Sequence, residues 1–407
     1  MSELQAARAL LTAGAVRERG HEMLRLALAG ALPDWRVDLA RLEPLADLTA
    51  EVIRSRYPDL AVPFHARWRH FVVGGRDLWA ELAERTDWKD RDARARAAFD
   101  LAITSVLLDA GAGMAWRFRD ARTDSVSGRS EGLAVASFRL FEAGAFSRDD
   151  APLKADALAD LSTQALAQGF QVSDANPLVG LEGRAALLRR LGEQTHAQPD
   201  LFALKSAPRP GGLYDLLAAR AVDGRLPAPA ILEALLEGLG PIWSGRLTIM
   251  GLPMGDTWRH PAILRPDSTD GLVPLHKLSQ WLAYSLIEPL EAAGIAVTDI
   301  DGLTGLAEYR NGGLLLDGGV LVATDPVAAA LPLDVADPLV VAWRSLTVAL
   351  LDRIAPLVRE RLGLSAEAFP LARVLEGGTW AAGRRLAAER RLDGGPPLAI
   401  LSDGAVF

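Results

Sequence analysis

Apolar positions along this chain recur every three or four residues over long stretches, the spacing that lays one face of a helix against a core. Residues 92–109 carry Phe99, Ile103, Val106 and Leu107 on one side and stop at Gly111. Residues 275–292, opened by Pro274, set Leu275, Leu278, Leu282 and Leu286 in one stripe beside a polar stripe of Lys277, Gln280, Tyr284 and Glu288. That polar stripe reads equally as a solvated face and as a row of ligand contacts. Start and stop signals bound further helices. They are 4–29 ended by Gly30, 45–56 closed by Tyr57-Pro58, 130–141 with Gly144 beyond, and 153–168 ended by Gly169. Further on come 181–194 behind Asn176-Pro177, 230–237 running into Gly238, then 338–361 and 366–375.

Residues 295–300 and 314–322 are short apolar runs that read as strands, the second with a hairpin signal at Asp317-Gly318-Gly319. Residues 398–407 read as a short extended tail with a turn at Asp403-Gly404. The expected fold is therefore mainly α: a large helical domain with a small β-hairpin or sheet element. The chain is taken as one domain over 1–407, with the Pro- and Gly-rich region near 206–229 as the place where it could divide.

Between the two expected strands lies residues 301–313, DGLTGLAEYRNGG, with four glycines among Asp301, Glu308, Tyr309, Arg310 and Asn311. Its glycines permit turns or close approach to a ligand. If extended, the segment points Glu308 and Arg310 to one face and Tyr309 to the other. An arginine beside a carboxylate keeps it ionised, able to stabilise a developing cation or orient a water but poor at giving a proton. A loop closed by an ordinary ion pair fits the residue types as well.

Bulk composition narrows the classes. The chain has 407 residues, half of them hydrophobic, a net charge of −8 and no cysteine. The acidic balance argues against nucleic acid or an anionic membrane as partner. Thiolate chemistry and Cys-bound metals are absent by composition. No signal-like start or long apolar run occurs, so a cytoplasmic, membrane-free protein is expected. Six scattered histidines lack metal-ligand spacing, and Gly111-Ala-Gly113 follows a helix and lacks the third glycine of a dinucleotide loop, so no transition metal or nicotinamide cofactor is expected, while carboxylates with no fixed spacing leave a magnesium site open. Residues 64–71 pack Arg67, Trp68, Arg69 and His70 between phenylalanines. They read as a phosphate- and ring-binding corner, or as a packing corner with arginines lying over tryptophan. Asp174, ahead of Asn176-Pro177, and Asp256, beside Trp258, are further polar candidates, with helix capping and an ordinary turn as the competing readings.

Taken together, several strings resemble the uracil catabolism protein 4 family of fungi and bacteria. They are 65–71 (HARWRHF), 107–113 (LLDAGAG), 129–137 (RSEGLAVAS), 169–184 (GFQVSDANPLVGLEGR) and 275–290 (LHKLSQWLAYSLIEPL). Residues 301–313, 374–383 (VLEGGTWAAG) and 402–407 (SDGAVF) complete the set, with Ala175 and Ala307 where Ser and Pro are expected. The resemblance implies a part in a uracil-degradation route in which a ribonucleotide ring is opened and urea is released. Residues 306–310 are also similar to a Phe-Ala-Asp-Tyr-Arg stretch in queuosine-nucleotide N-glycosidases, which are mostly helical; a DNA-glycosylase-like helical core is one form the fold could take. The implied reaction is hydrolysis of the N-ribosyl bond of a ring-opened uracil ribonucleotide. Its implied partner is this small ribosyl substrate alone, and a homodimer is left open. Glu308 and Asp301 are the implied catalytic carboxylates, with Asp301 or Asp256 at the ribose hydroxyls. Arg67, Arg69, His70 and Lys277 would take the phosphate, and Trp68 or Tyr309 would stack; Asp174, His276, Gln280, Arg310 and Asn311 complete the expected binding set. A non-catalytic binding partner and a ureido amidohydrolase are the alternatives.

Overall fold

The computed structural model describes residues 2–109, 111–149 and 152–401. It is mainly α, with seven two-stranded sheets among the described residues. The helix Pro338–Leu362 runs through the centre and packs against Ala13–Leu28 and Leu42–Arg56. A second layer is built on Lys277–Ala292, which packs against Arg91–Leu107 and Ala228–Leu239. Tyr309–Asp317 lies against both Pro338–Leu362 and Trp380–Arg390. The apolar stripes expected from the sequence face one continuous core that runs through both layers.

Several elements differ from the sequence reading. Residues 4–29 form two helices, Glu3–Ala9 and Ala13–Leu28, because Thr12 turns outward and caps the second with its hydroxyl. Only Thr163–Gly169 of the expected helix over 153–168 forms, with Ser162 as its cap. The expected helix over 366–375 shortens to Leu371–Val374 and continues as a π-turn, Leu375–Thr379, into Trp380–Arg390. The expected turn at Asp403-Gly404 lies outside the described residues.

The largest correction concerns 314–322. Residues Tyr309–Asp317 are a helix, and the two runs expected to be strands do not pair with each other. Ala296–Thr298 pairs in parallel with Arg225–Pro227, and Leu321–Ala323 pairs antiparallel with Trp35–Val37. A short apolar run carries no decisive period, so the cap decides: Glu308 accepts the backbone N–H groups of Arg310 and Asn311 and starts a helix. Gly302 and Gly305 stay in the turn and irregular chain ahead of the helix, whereas Gly312 and Gly313 lie in the helix and serve its packing. A Cβ on Gly312 would sit 2.6 Å from the Trp343 ring. One on Gly383 would run into the Arg310 carbonyl oxygen, so the Tyr309 and Trp380 helices touch backbone to backbone.

Candidate active site

Of the polar stripe on Lys277–Ala292, Gln280 and Tyr284 are buried while Lys277 and Glu288 are half-buried, and the buried pair holds the approach to Glu308. Gln280 donates from Nε2 to Thr304 Oγ1 at 2.5 Å and accepts from Thr304 N at 3.2 Å. Tyr284 donates its hydroxyl to the Thr304 carbonyl at 3.0 Å. Arg344 donates to the Ala307 carbonyl at 3.2 Å, and Asn311 is locked by the Thr379 hydroxyl at 2.9 Å. The segment reaching Glu308 is thus fixed from three sides.

Glu308 caps the Tyr309 helix at 2.7 Å from Arg310 N and 2.5 Å from Asn311 N. It is buried yet lines a cleft of about 350 Å³. Burial pushes its pKa up, against the two backbone hydrogen bonds and the nearby Lys277 charge. The expected Glu308–Arg310 ion pair does not form. The Arg310 guanidinium instead donates to the Gly394 carbonyl at 2.8 Å and lies over the Tyr309 ring. Its neutralising role passes to Lys277, whose own pKa is driven down by burial and held up by Glu308 and Asp109.

The opposite wall comes from residues 65–71 and 109–130. Arg67 is fully buried, donating to Asp109 at 2.6 Å and to Ser105 at 2.7 Å. Asp109 also accepts from the Ser130 hydroxyl, at 2.6 and 2.7 Å. Arg67 Nη1 approaches His70 Nδ1 at 3.2 Å, so that nitrogen is the acceptor and the ring proton sits on Nε2. Burial and the Arg67 charge lower the His70 pKa to about 4, leaving it neutral near pH 7. Trp281, one turn beyond Lys277, lines the cleft with its indole N–H buried and unpartnered. Leaving such a donor unpaired costs about 1–3 kcal/mol, which a ligand carbonyl would recover.

Glu308, Lys277, His70, Tyr309 and Arg310 meet at this cleft. The other expected site residues lie elsewhere. Asp301 pairs with Arg359 at 2.6 Å and caps Leu371 N, so it is not beside Glu308 in the cleft. Asp256 is held by both Nη atoms of Arg344, at 2.9 and 2.8 Å, with Trp258 and Lys277 N as further donors. Arg69 pairs with Glu288, and Trp68 sits in the core, donating to the Ser285 carbonyl at 2.6 Å. His276 bonds the Leu10 carbonyl, Gln280 and Asn311 are structural ties, and Asp174 is exposed in the 173–176 turn.

Sequence reading missed five contributors. His65, Asp109, Arg129, Trp281 and Trp380 all line the cleft. His65 Nδ1 meets Glu376 Oε2 at 2.7 Å, from the π-turn. Burial works to raise the Glu376 pKa, but the His65 hydrogen bond and the surrounding positive charges outweigh it and hold the carboxylate below its ordinary range. Each lies inside a string quoted for its resemblance; the signal was that histidine, acid and tryptophan recur there among small residues.

The fold is mainly helical, and a buried carboxylate, a neutral histidine and an aromatic wall surround a small cleft. The chain belongs to the family described as "Protein of unknown function (DUF1688)", whose model matches residues 9–407. It is 37% identical over 409 residues to the protein urg3 of Schizosaccharomyces pombe, covering 98% of each chain. It is likewise 37% identical over 410 residues to uracil catabolism protein 4 of Lachancea kluyveri, covering 92% of each. No helix among the described residues is long and apolar enough to cross a membrane.

Proposed function

We propose that this protein acts in uracil catabolism by hydrolysing the N-ribosyl bond of a ring-opened uracil ribonucleotide, releasing urea from a ribosylurea-type substrate. The observation that carries the reading is Glu308, a buried carboxylate at a helix N-terminus that faces the cleft and has no arginine partner. The name of the Lachancea kluyveri relative supports the pathway. Cleavage of a C1′–N bond develops positive charge on the ribose. Glu308, held in place by the Arg310 and Asn311 backbone N–H groups, stabilises that charge and takes a proton from the attacking water. Asp109, fixed by Arg67 and Ser130, accepts from a ribose hydroxyl in place of Asp301 or Asp256. The Trp281 indole and the His70 Nε2–H donate to the ureido carbonyl. Lys277 and the exposed Arg129, which makes no ion pair among the described residues, take the 5′-phosphate in place of Arg67 and Arg69, whose charges are already matched.

The test is incubation with synthetic ribosylurea 5′-phosphate and its unphosphorylated analogue, following urea. Release by the wild-type protein and its loss in Glu308→Gln is the expected result. Tight binding of the ureide with no turnover would sink the reading in favour of a binding protein. Ammonia and carbon dioxide in place of urea would point to an amidohydrolase.

A further inference from the structure

Breaking the C1′–N bond leaves an electron pair on a ureido nitrogen, a poor leaving group unless it gains a proton. Glu308 cannot give that proton in the same step in which it accepts one from water. The His65–Glu376 pair, whose histidine lines the cleft, has no role so far. His65 is 7% exposed, and that exposure is to the cleft it lines. Its ring lies between two tryptophans, with centroids 6.3 Å from Trp281 and 6.1 Å from Trp380. Nδ1 faces the Glu376 carboxylate at 2.7 Å, while Nε2 has no protein partner among the described residues. Glu376 does not line the cleft; its second oxygen lies 4.0 Å from Arg56. A carboxylate on one ring nitrogen fixes the imidazole orientation and favours proton traffic at the other.

We infer that His65, oriented by Glu376, is the acid that protonates the leaving ureido nitrogen, with Glu376 as its positioning residue. The inference rests on the N-ribosyl hydrolase reading. As the C1′–N bond breaks, its electron pair goes to the nitrogen, which takes the Nε2 proton of the His65 imidazolium. The water oxygen bonds to C1′ and its proton passes to Glu308. Return of that proton through solvent to His65 closes the cycle: one water is consumed, and ribose phosphate and urea leave.

Two substrates separate this step from the rest: ribosylurea 5′-phosphate, whose leaving group needs a proton, and a 4-nitrophenyl riboside 5-phosphate, whose leaving group does not. His65→Asn should lower kcat on the ureide by about 10²- to 10⁴-fold and on the nitrophenyl substrate by less than about tenfold. Glu376→Gln should give the same split in smaller measure, whereas Glu308→Gln should depress both substrates alike. Added imidazole should restore part of the ureide activity of His65→Gly. Equal losses on both substrates in His65→Asn, with wild type active on both, would overturn the assignment and leave the hydrolase reading standing. A selective ureide loss in Lys277→Met, with none in His65→Asn, would move the acid to Lys277. Wild-type protein that cleaves neither substrate would remove the hydrolase reading and this inference with it.

Discussion

Asp256 and Glu308 both serve helix starts, Asp256 by accepting Lys277 N from a distant loop and Glu308 by accepting Arg310 N and Asn311 N of its own helix, yet they are chemically opposite. Asp256 is saturated: two guanidinium nitrogens, an indole and an amide converge on it and hold its pKa well below 3.8 against a strong burial effect. Glu308 has two amides and only the through-space charge of Lys277 and His65, and burial wins, lifting it above 4.5. A carboxylate whose lone pairs and charge are all matched is an anchor. One buried with its charge incompletely answered retains free energy to spend on a cation that arrives with the substrate. Both are side-chain carboxylates that receive helix N–H groups; what sets Asp256 apart is Arg344, 88 positions away.

The comparison can be broken most directly at Glu308. Glu308→Gln should lower kcat by about 10³-fold or more with KM within about tenfold, since only the transition state carries the charge it answers. Its melting temperature should stay close to wild type, because losing an under-compensated buried charge offsets a weakened cap. Asp256→Asn should do the reverse. It leaves Arg344 buried without its counter-charge, costing about 3–5 kcal/mol in chemical denaturation, and activity should fall only with the folded fraction. Collapse of stability in Glu308→Gln would make the two carboxylates equivalent and end the contrast.

A smaller effect is expected at the rim. Arg129→Ala should raise KM for a 5′-phosphorylated ureide by about tenfold to a hundredfold and leave the unphosphorylated one unchanged. Equal shifts would remove phosphate binding from Arg129.

The pH profile sharpens the same contrast with no mutation. The Glu308 pKa is raised, so its ionised form is lost as pH falls from neutrality, and the acid limb of kcat/KM should lie above the ordinary value of 4.5. The Asp256 pKa is depressed. Its contribution to stability is fully present above the unfolded value of 3.8 and is lost only as pH falls through the lower folded value. Activity should therefore disappear on acidification before the fold does, as read by parallel initial rates and circular dichroism. A limb that tracks unfolding would assign the loss to the anchor.

The helices were legible where apolar period and caps agreed, as at Arg91–Leu107 and Lys277–Ala292. They were not legible at 314–317, where the leucine run fits helix and strand alike and only the Glu308 cap settles it. Trp380–Arg390, whose apolar signal is weak, passed unread. Within the site, Glu308, Tyr309 and Arg310 stood out because they are adjacent in sequence. The His65–Glu376 contact joins residues 311 positions apart, and Arg67 and Asp109 are 42 apart. Chemistry assembled over such separations leaves no local spacing to read. The basic corner was seen, but not the acids that had already claimed its arginines.

The stretch of chain that crosses the Tyr309 helix has a further consequence, one of proteolysis. Gly394 receives Arg310, Arg391 pairs with Asp317, and Pro397 packs on Gly313. Trp380, Asp393 and Pro396 line the cleft from this side, and His65 takes its partner Glu376 from just before them. A protein nicked between residues 363 and 370 and stripped of 371–401 would keep its central helix, Pro338–Leu362, but lose one wall of the cleft and leave Arg310 without its acceptor.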